Sequence, residues 1–293
     1  MAIDVAELER PGVAQQIPAR TPAERARRVL TYAILVAVSA LFFVPFVWSV
    51  STSLKSLPET TGFDLLPNNP SLRAYREVLI EFDFLRYAAN SFFLAGTITL
   101  ANLILCSLGG YAFARLRFPG REVLFMLVLA TLMIPDQLRL VPVFVMLSGW
   151  GLIGFKGYML IKLVLATNLF FMRQYFLTIP KDFEEAAKLD NAGHFKTFWR
   201  VMLPLTGPAL AAITILTFQG IWNEFFWPLI LLGFGDPGRY TVQLGIAQFT
   251  FQYQALWPQL MAASVMAILP IVIIFLFFQR YFVAGVVASG VKG

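Results

Sequence analysis

The chain predicts an all-α, polytopic integral membrane protein with six transmembrane helices, on three observations. Hydrophobic residues make up 58% of its 293 positions and charged residues only 14%. Mean hydropathy is +0.70, far from the balance of a soluble domain. Six apolar runs approach or exceed the roughly 20 residues that a helix needs to cross a bilayer, and the basic residues fall unevenly between the segments that join them. No large soluble domain fits beside these runs.

Residues 1–28 are polar, carry Pro11, Pro18 and Pro22, and end in Arg25, Arg27 and Arg28. They read as a cytoplasmic N-terminal tail, because a secretory signal would place a shorter apolar core nearer the start, followed by a small-residue cleavage site. The spans are expected at 30–51, 91–114, 123–147, 157–172, 207–232 and 260–282, the fourth being the shortest. The first span and its outer loop form a segment at 29–85, the other five spans a core at 86–282, and residues 283–293 a cytoplasmic C-terminal tail. With both termini inside, 15 of the 23 Lys and Arg residues lie on the cytoplasmic side, as the positive-inside rule requires. Lys162 then snorkels from the outer end of span four.

Several function classes drop out. The net charge of +6 is spread between loops and is not a stripe interleaved with stacking aromatics, so no nucleic acid is implied. Cys106 is the single cysteine and His194 the single histidine, which leaves no disulfide framework or metal cluster. A Gly-x-x-x-x-Gly-Lys-Ser/Thr phosphate loop is missing, so nothing here cradles ATP. Nor does any span supply the paired nucleophile and base, or the metal, of a membrane-embedded enzyme.

Span three contains Pro135 and Pro142, span five Gly220 and Pro228, and span six Pro270. Broken helices persist at membrane depth where neighbouring helices or a wet cavity satisfy the freed backbone groups, so a transport path is expected. Gln219 and Asn223 lie four residues apart on one face of span five, with Trp222, Glu224 and Trp227 near them. Amides beside aromatics suit a sugar, whose ring face stacks while its hydroxyls hydrogen-bond. An interfacial aromatic belt with interhelical hydrogen bonds fits the same residues. Asn90, Tyr111 and Asn168 are further path candidates. A carboxylate at mid-membrane costs about 2.5 to 3.5 kcal/mol on insertion scales, so Glu224 needs a cavity, a partner subunit or the outer interface.

The loop at 176–206 is too long for a mere connection. Pro180 ends the preceding helix, and Asp182, Glu184 and Glu185 then sit where a new helix dipole favours acidic groups. That helix should run to about Asp190, with Phe183, Ala186, Ala187 and Leu189 on its apolar side. Asn191, Ala192 and Gly193 make a break in which the glycine can take a positive φ. A second short helix then presents Phe195, Phe198, Trp199 and Met202 and stops near Pro204. Ala186 and Ala187 are small enough to let another helix or a groove approach closely. Two readings fit: a projecting docking element, or an amphipathic loop lying on the headgroups.

Glu185-Ala186-Ala187, then Asp190-Asn191-Ala192-Gly193, then Val201-Met202-Leu203-Pro204 resembles the cytoplasmic EAA loop of type I ATP-binding-cassette (ABC) importer permeases. Tyr111 through Gly120, Met133-Ile134-Pro135, Trp222-Asn223-Glu224 and the tail from Gly285 to Gly293 are similar to the carbohydrate branch that includes the maltose-type permeases. The resemblance runs from about Leu30 to the last residue. Asn191 departs from it, standing where the family often has glycine, and the N-terminal tail is longer than in many members.

What the resemblance implies is the ABC type I importer permease fold and a division of labour. This subunit would pair with a second, homologous permease in the lipid of the plasma membrane. A dimer of cytoplasmic ATPases would bind ATP and Mg, and an extracytoplasmic binding protein would deliver the substrate to the outer loops at 55–87 and 233–256. Glu185, Ala186, Ala187, Asp190, Gly193, Leu203 and Pro204 would couple the ATPases to spans four and five, so that closing the ATPase dimer turns the cavity from one side to the other. The tail, with Gly290, Lys292 and Gly293, would reach between the ATPases or stay a flexible end. The substrate would be a sugar, oligosaccharide or polyol, with glycerol 3-phosphate or a similar sugar phosphate as an alternative. A secondary transporter moving protons or cations through Glu224 or Asp136 is the rival class; it would often show an internal repeat, and none is evident.

Overall fold

A computed structural model describes residues 22–62, 64–251 and 256–290. The chain divides into two compact units, Met1–Trp48 and Ser49–Gly293. Helix α1 (Pro22–Ser53) supplies the described part of the first and runs into the second. Residues 25–47 are exposed along their whole length, which in an apolar helix reads as a surface for lipid.

In the second unit a 3₁₀ turn (Leu57–Thr61) leads to the short α2 (Arg73–Ile80) and then to α3 (Phe84–Arg115), which is the axis. Around α3 pack α7 (Ala166–Thr178) and α11 (Gly207–Trp222), and α11 packs in turn on α14 (Trp257–Gly290). The remaining membrane-embedded pieces are α4 (Arg121–Leu132), α5 (Asp136–Gly149), α6 (Phe155–Lys162) and α12 (Phe226–Leu232). Among the described residues, four helices are long and apolar enough to cross a membrane, or six if each of two bent helix pairs is one span.

The close approach of α3 and α7 depends on Gly110. A Cβ there would meet Met172 Cβ at 2.6 Å and the Arg173 amide nitrogen at 3.0 Å. In lipid such backbone proximity stands in for the hydrophobic drive that water would supply.

Two expected spans are broken rather than continuous. The third bends by 104° between α4 and α5, because Pro135 takes an extended conformation and becomes the N-cap of α5. The fifth does not reach Leu232 as one helix: α11 stops at Trp222 and α12 begins at Phe226. Pro228, the third residue of α12, has no N–H to give to the Glu224 carbonyl, which disfavours a continuous helix across residues 223–226. By contrast Pro142 and Pro270 are absorbed inside α5 and α14.

Two apolar clusters fill the interior. One gathers Leu94, Ile98, Tyr158, Trp222, Leu231 and Ala263. The other gathers Cys106, Tyr111, Met172, Phe176, Phe198 and Met202. Asn102, 0% exposed, lies on α3 one turn from Ile98 and one turn from Cys106, and so marks a polar layer between the clusters.

Outside the membrane-embedded helices, Glu77 of α2 accepts from Arg73 Nε at 2.6 Å and from Gln259 Nε2 of α14 at 2.6 Å. Burial pushes its carboxyl up, but the two hydrogen bonds and the Arg73 charge outweigh burial and hold it below the usual glutamate value.

Candidate functional site

The loop after α7 folds into α8 (Asp182–Leu189) and α9 (His194–Thr197), a π turn (Phe198–Met202) and the short α10 (Leu203–Leu205). Asp182, Glu184 and Glu185 occupy the first turn of α8 and Lys188 the last, which complements the helix dipole at both ends. Asn191 carries the left-handed turn, with φ 54°. Gly193, the residue expected to take a positive φ, is instead extended at φ −66° and is the N-cap of α9. Asparagine is the residue other than glycine that adopts the left-handed conformation most readily, so the departure at 191 preserves the turn.

Ala187 is buried while Glu185 and Ala186 face outward. Beside them Leu189 is 85% and Phe195 72% exposed, an apolar surface with acidic and basic neighbours. Asp190 and Pro204 are exposed and Leu203 is half-buried. On the inner side Tyr111 stacks edge-on against Phe176 and tilted against Phe198, with ring centroids 5.6 and 5.2 Å away. Tyr111 therefore belongs beneath this loop and not beside Asn168.

Arg115, at the end of α3, ties the loop to the helical core. Its Nη2 donates to the carbonyls of Phe176, at 2.6 Å, and Ile179. Its Nε stands 3.8 Å from Glu184 Oε1, an ion pair rather than a hydrogen bond. The Phe176 carbonyl, near the end of α7, also accepts from Ile179 N at 3.3 Å, and the Ile179 carbonyl lies just past the helix, outside the intrahelical pattern; one guanidinium nitrogen reaches both. A cavity of about 940 Å³ opens here, lined among others by Arg115, Arg117, Lys181, Glu184, Glu185 and His194.

A second polar centre lies among the membrane-embedded helices. Asn102 Nδ2 donates to Ile98 O at 3.0 Å and Lys162 O at 2.9 Å. Its Oδ1 accepts from Leu165 N at 2.9 Å and Asn168 Nδ2 at 3.1 Å, and Asn168 also donates to Thr217 Oγ1 at 2.8 Å. One side chain thus satisfies the backbone groups freed where α6 ends and α7 begins, the condition for a break at membrane depth.

The residue held at that break is Lys162. It does not snorkel from an outer end: it is 9% exposed, with Nζ 3.1 Å from Glu224 Oε2 and 3.6 Å from Asp136 Oδ2. Asp136 also pairs with Arg139 and accepts from Trp227 Nε1 at 3.1 Å. A lysine so far from water needs carboxylate partners. Asp136, Arg139, Lys162 and Trp227 line a cavity of about 370 Å³. A second of about 370 Å³, lined by Asn168 and Thr217, shares Leu132, Leu165 and Thr167 with it.

Of the path candidates, Asn168, Glu224 and Trp227 come together in this centre. Trp222 is buried and donates to Ala267 O at 3.0 Å, a packing role. Gln219 is exposed and is absent from the lining of both cavities. Asn223 is exposed and accepts from Gln243 Nε2 at 3.3 Å. Asn90 clips the outer loop by donating to Gly238 O and Tyr240 O, both at 2.9 Å. Gly290 ends α14, and Lys292 and Gly293 lie outside the described residues. Sequence reasoning misses Asn102 and Arg139 and misplaces Lys162. The available signal is a lysine and two carboxylates within or beside apolar runs, each of which requires a partner.

Residues 106–287 match the model of the family described as "Binding-protein-dependent transport system inner membrane component". The arabinooligosaccharides transport system permease protein AraQ of Bacillus subtilis (strain 168) is 34% identical over 272 residues, covering 91% of this chain and 96% of that protein. The trehalose/maltose transport system permease protein MalG of Thermococcus litoralis is 35% identical over 268 residues, covering 89% and 95%. A chain in the crystal structure of a bacterial ABC transporter involved in the import of the acidic polysaccharide alginate superposes with a TM-score of 0.77 at 28% identity, covering 90% of this chain and 99% of that one.

Proposed function

The chain belongs to the family of binding-protein-dependent transport system inner membrane components, and on that premise we propose that it carries a carbohydrate inward across the plasma membrane by alternating access. As a member it is a permease subunit of an ABC importer, not itself an enzyme, and works with a substrate-binding protein. The finer reading adds a second, homologous permease and a dimer of ATPases that bind ATP and Mg. The observation that carries it is the outward-facing Glu185, Ala186, Leu189 and Phe195 surface, braced from behind by Arg115. A surface of this kind, apolar with a polar rim, suits a groove on another protein better than water.

In this mechanism the ATPases grip α8, and Arg115 and the Tyr111–Phe176–Phe198 stack pass the motion to α3 and α7 as nearly rigid rods. Glu185, Ala186, Ala187, Asp190, Gly193, Leu203 and Pro204 form or support the grip, and the end of α14 is a second contact. The cavities beside Asn168 and Trp227 are the stretch of path in this chain. The names of the sugar-transporting relatives support the carbohydrate class. An acidic glycan or sugar phosphate is the second reading, favoured by the alginate importer.

The test is uptake in proteoliposomes holding the whole importer, with a ligand first chosen by thermal shift of its binding protein across a panel of sugars and sugar phosphates. Uptake should need ATP and be indifferent to a protonophore. Uptake that follows a proton or cation gradient without ATP would instead establish the secondary-transporter reading. A binding protein that no carbohydrate stabilises would remove the substrate class and leave the importer class standing.

A further inference from the structure

We propose that the ion-paired centre at Lys162 makes this wall of the path selective for uncharged, hydroxyl-bearing substrates over anionic ones. This rests on the carbohydrate reading above and deepens it. Two cations, Lys162 and Arg139, and one carboxylate, Asp136, line the cavity. Glu224 closes the balance by holding Lys162 at 3.1 Å. Each cation already has a carboxylate, and the four charges sum to zero.

An anion entering this cavity can reach the exposed N–H groups of Arg139, but the charge there is already balanced by Asp136, so it gains an unshared cation only by displacing Glu224 or Asp136. The displaced carboxylate then loses its cation in a site that is only partly solvated, Glu224 being 22% and Asp136 37% exposed, where an uncompensated charge is disfavoured. A neutral sugar asks for no such exchange. Its hydroxyls can donate to the spare lone pairs of Asp136, whose side chain is 37% exposed, while all the ion pairs stay intact. Leu132, Val143 and Val164, which line the same cavity, supply the apolar side that a sugar ring requires. Asp136 and Glu224 thus act as specificity-determining residues by occupying the cations that would otherwise attract an anion.

The experiment is equilibrium dialysis of radiolabelled maltotriose and trigalacturonate against the complete importer in nanodiscs, without its binding protein so that the permease wall alone discriminates. The wild type should favour the neutral trisaccharide by about tenfold or more, and the Asp136→Asn/Glu224→Gln double variant should shift that ratio toward the uronate by at least about tenfold. The single variant Glu224→Gln, which leaves Asp136 beside both cations, should shift the ratio in the same direction by about threefold or more and serves where the double variant does not assemble, an unchanged ratio there counting the same. An unchanged ratio in the double variant, or equal wild-type affinity for both sugars, overturns the charge proposal alone. Binding of neither sugar by wild type or variant overturns it together with the carbohydrate reading.

Discussion

Arg115 donates from Nη2 to the Phe176 carbonyl across 2.6 Å, joining the last turn of α3 to the last turn of α7 just ahead of the loop that carries α8 to α10. Its side chain is 5% exposed, so the bond is shielded from competing water. Arg115→Met keeps the bulk but removes the donor to the Ile179 carbonyl, leaves the Phe176 carbonyl only the 3.3 Å bond from Ile179 N, and takes the cation from Glu184. The loss should be about 1–3 kcal/mol for each buried group left unsatisfied, seen as a lower thermal midpoint of the solubilised importer. Arg115→Lys should recover only part of it, because an ammonium lacks the planar fork. Uptake per ATP hydrolysed should fall in both. Unaltered coupling in Arg115→Met would sink the bracing role.

The turn at Asn191 separates two explanations of the loop. Its φ of 54° is open to glycine and strained for a β-branched residue. Asn191→Gly should therefore leave ATP-driven uptake near wild type, while Asn191→Val should destabilise the loop by about 1–2 kcal/mol and reduce uptake. Gly193 has an ordinary φ, and a Cβ added there would meet nothing within 4 Å, so Gly193→Ala should be tolerated by the fold. A Gly193→Ala importer that assembles yet fails to transport would show that this position serves the docked partner rather than the turn.

Much of this architecture is legible along the chain, because bilayer thickness imposes a length on each apolar run and the acidic start of α8 follows from the helix dipole. The breaks are less so. Pro142 and Pro228 look alike in sequence, yet the first lies inside one continuous helix and the second just past a break, in the first turn of α12, since the outcome depends on what else can satisfy the freed carbonyl. The pairing of Lys162 with Glu224 spans 62 positions, and no local pattern carries it. Tyr111 reads as a path residue in sequence for a similar reason: periodicity places it on a face of α3 but not at a depth.

Glu77 offers a pH test away from the membrane helices. Its folded pKa is lowered, with the bonds from Arg73 and Gln259 overcoming the burial that acts against them. A depressed carboxylate contributes stability above its unfolded value and loses it as pH falls through the folded one. Arg73 is 83% exposed and adds little through screened charge, so the effect should rest on the α2–α14 bond. Amide exchange in α2 should accelerate as pH drops below about 4, the unperturbed glutamate value, after correction for intrinsic rates. Glu77→Gln should flatten that dependence. Parallel profiles for wild type and variant would remove Glu77 from the account.

Asn102 should be the least replaceable side chain in the membrane-embedded core. It makes four hydrogen bonds of 2.9–3.1 Å to Ile98, Lys162, Leu165 and Asn168, and it is fully buried. Asn102→Leu has similar volume but leaves the Lys162 carbonyl, the Leu165 N–H and part of the Asn168 amide unpaired, so a loss of about 3 kcal/mol or more is expected. Thr217→Val is the control: it removes one acceptor from Asn168, which keeps Asn102, and should lose about 1 kcal/mol. The two should also differ in transport. Freeing the break between α6 and α7 releases the backbone that carries Lys162, so Asn102→Leu should weaken discrimination between neutral and anionic sugars, whereas Thr217→Val should not. Equal losses of stability and of selectivity in the two variants would mean that Asn102 merely fills space.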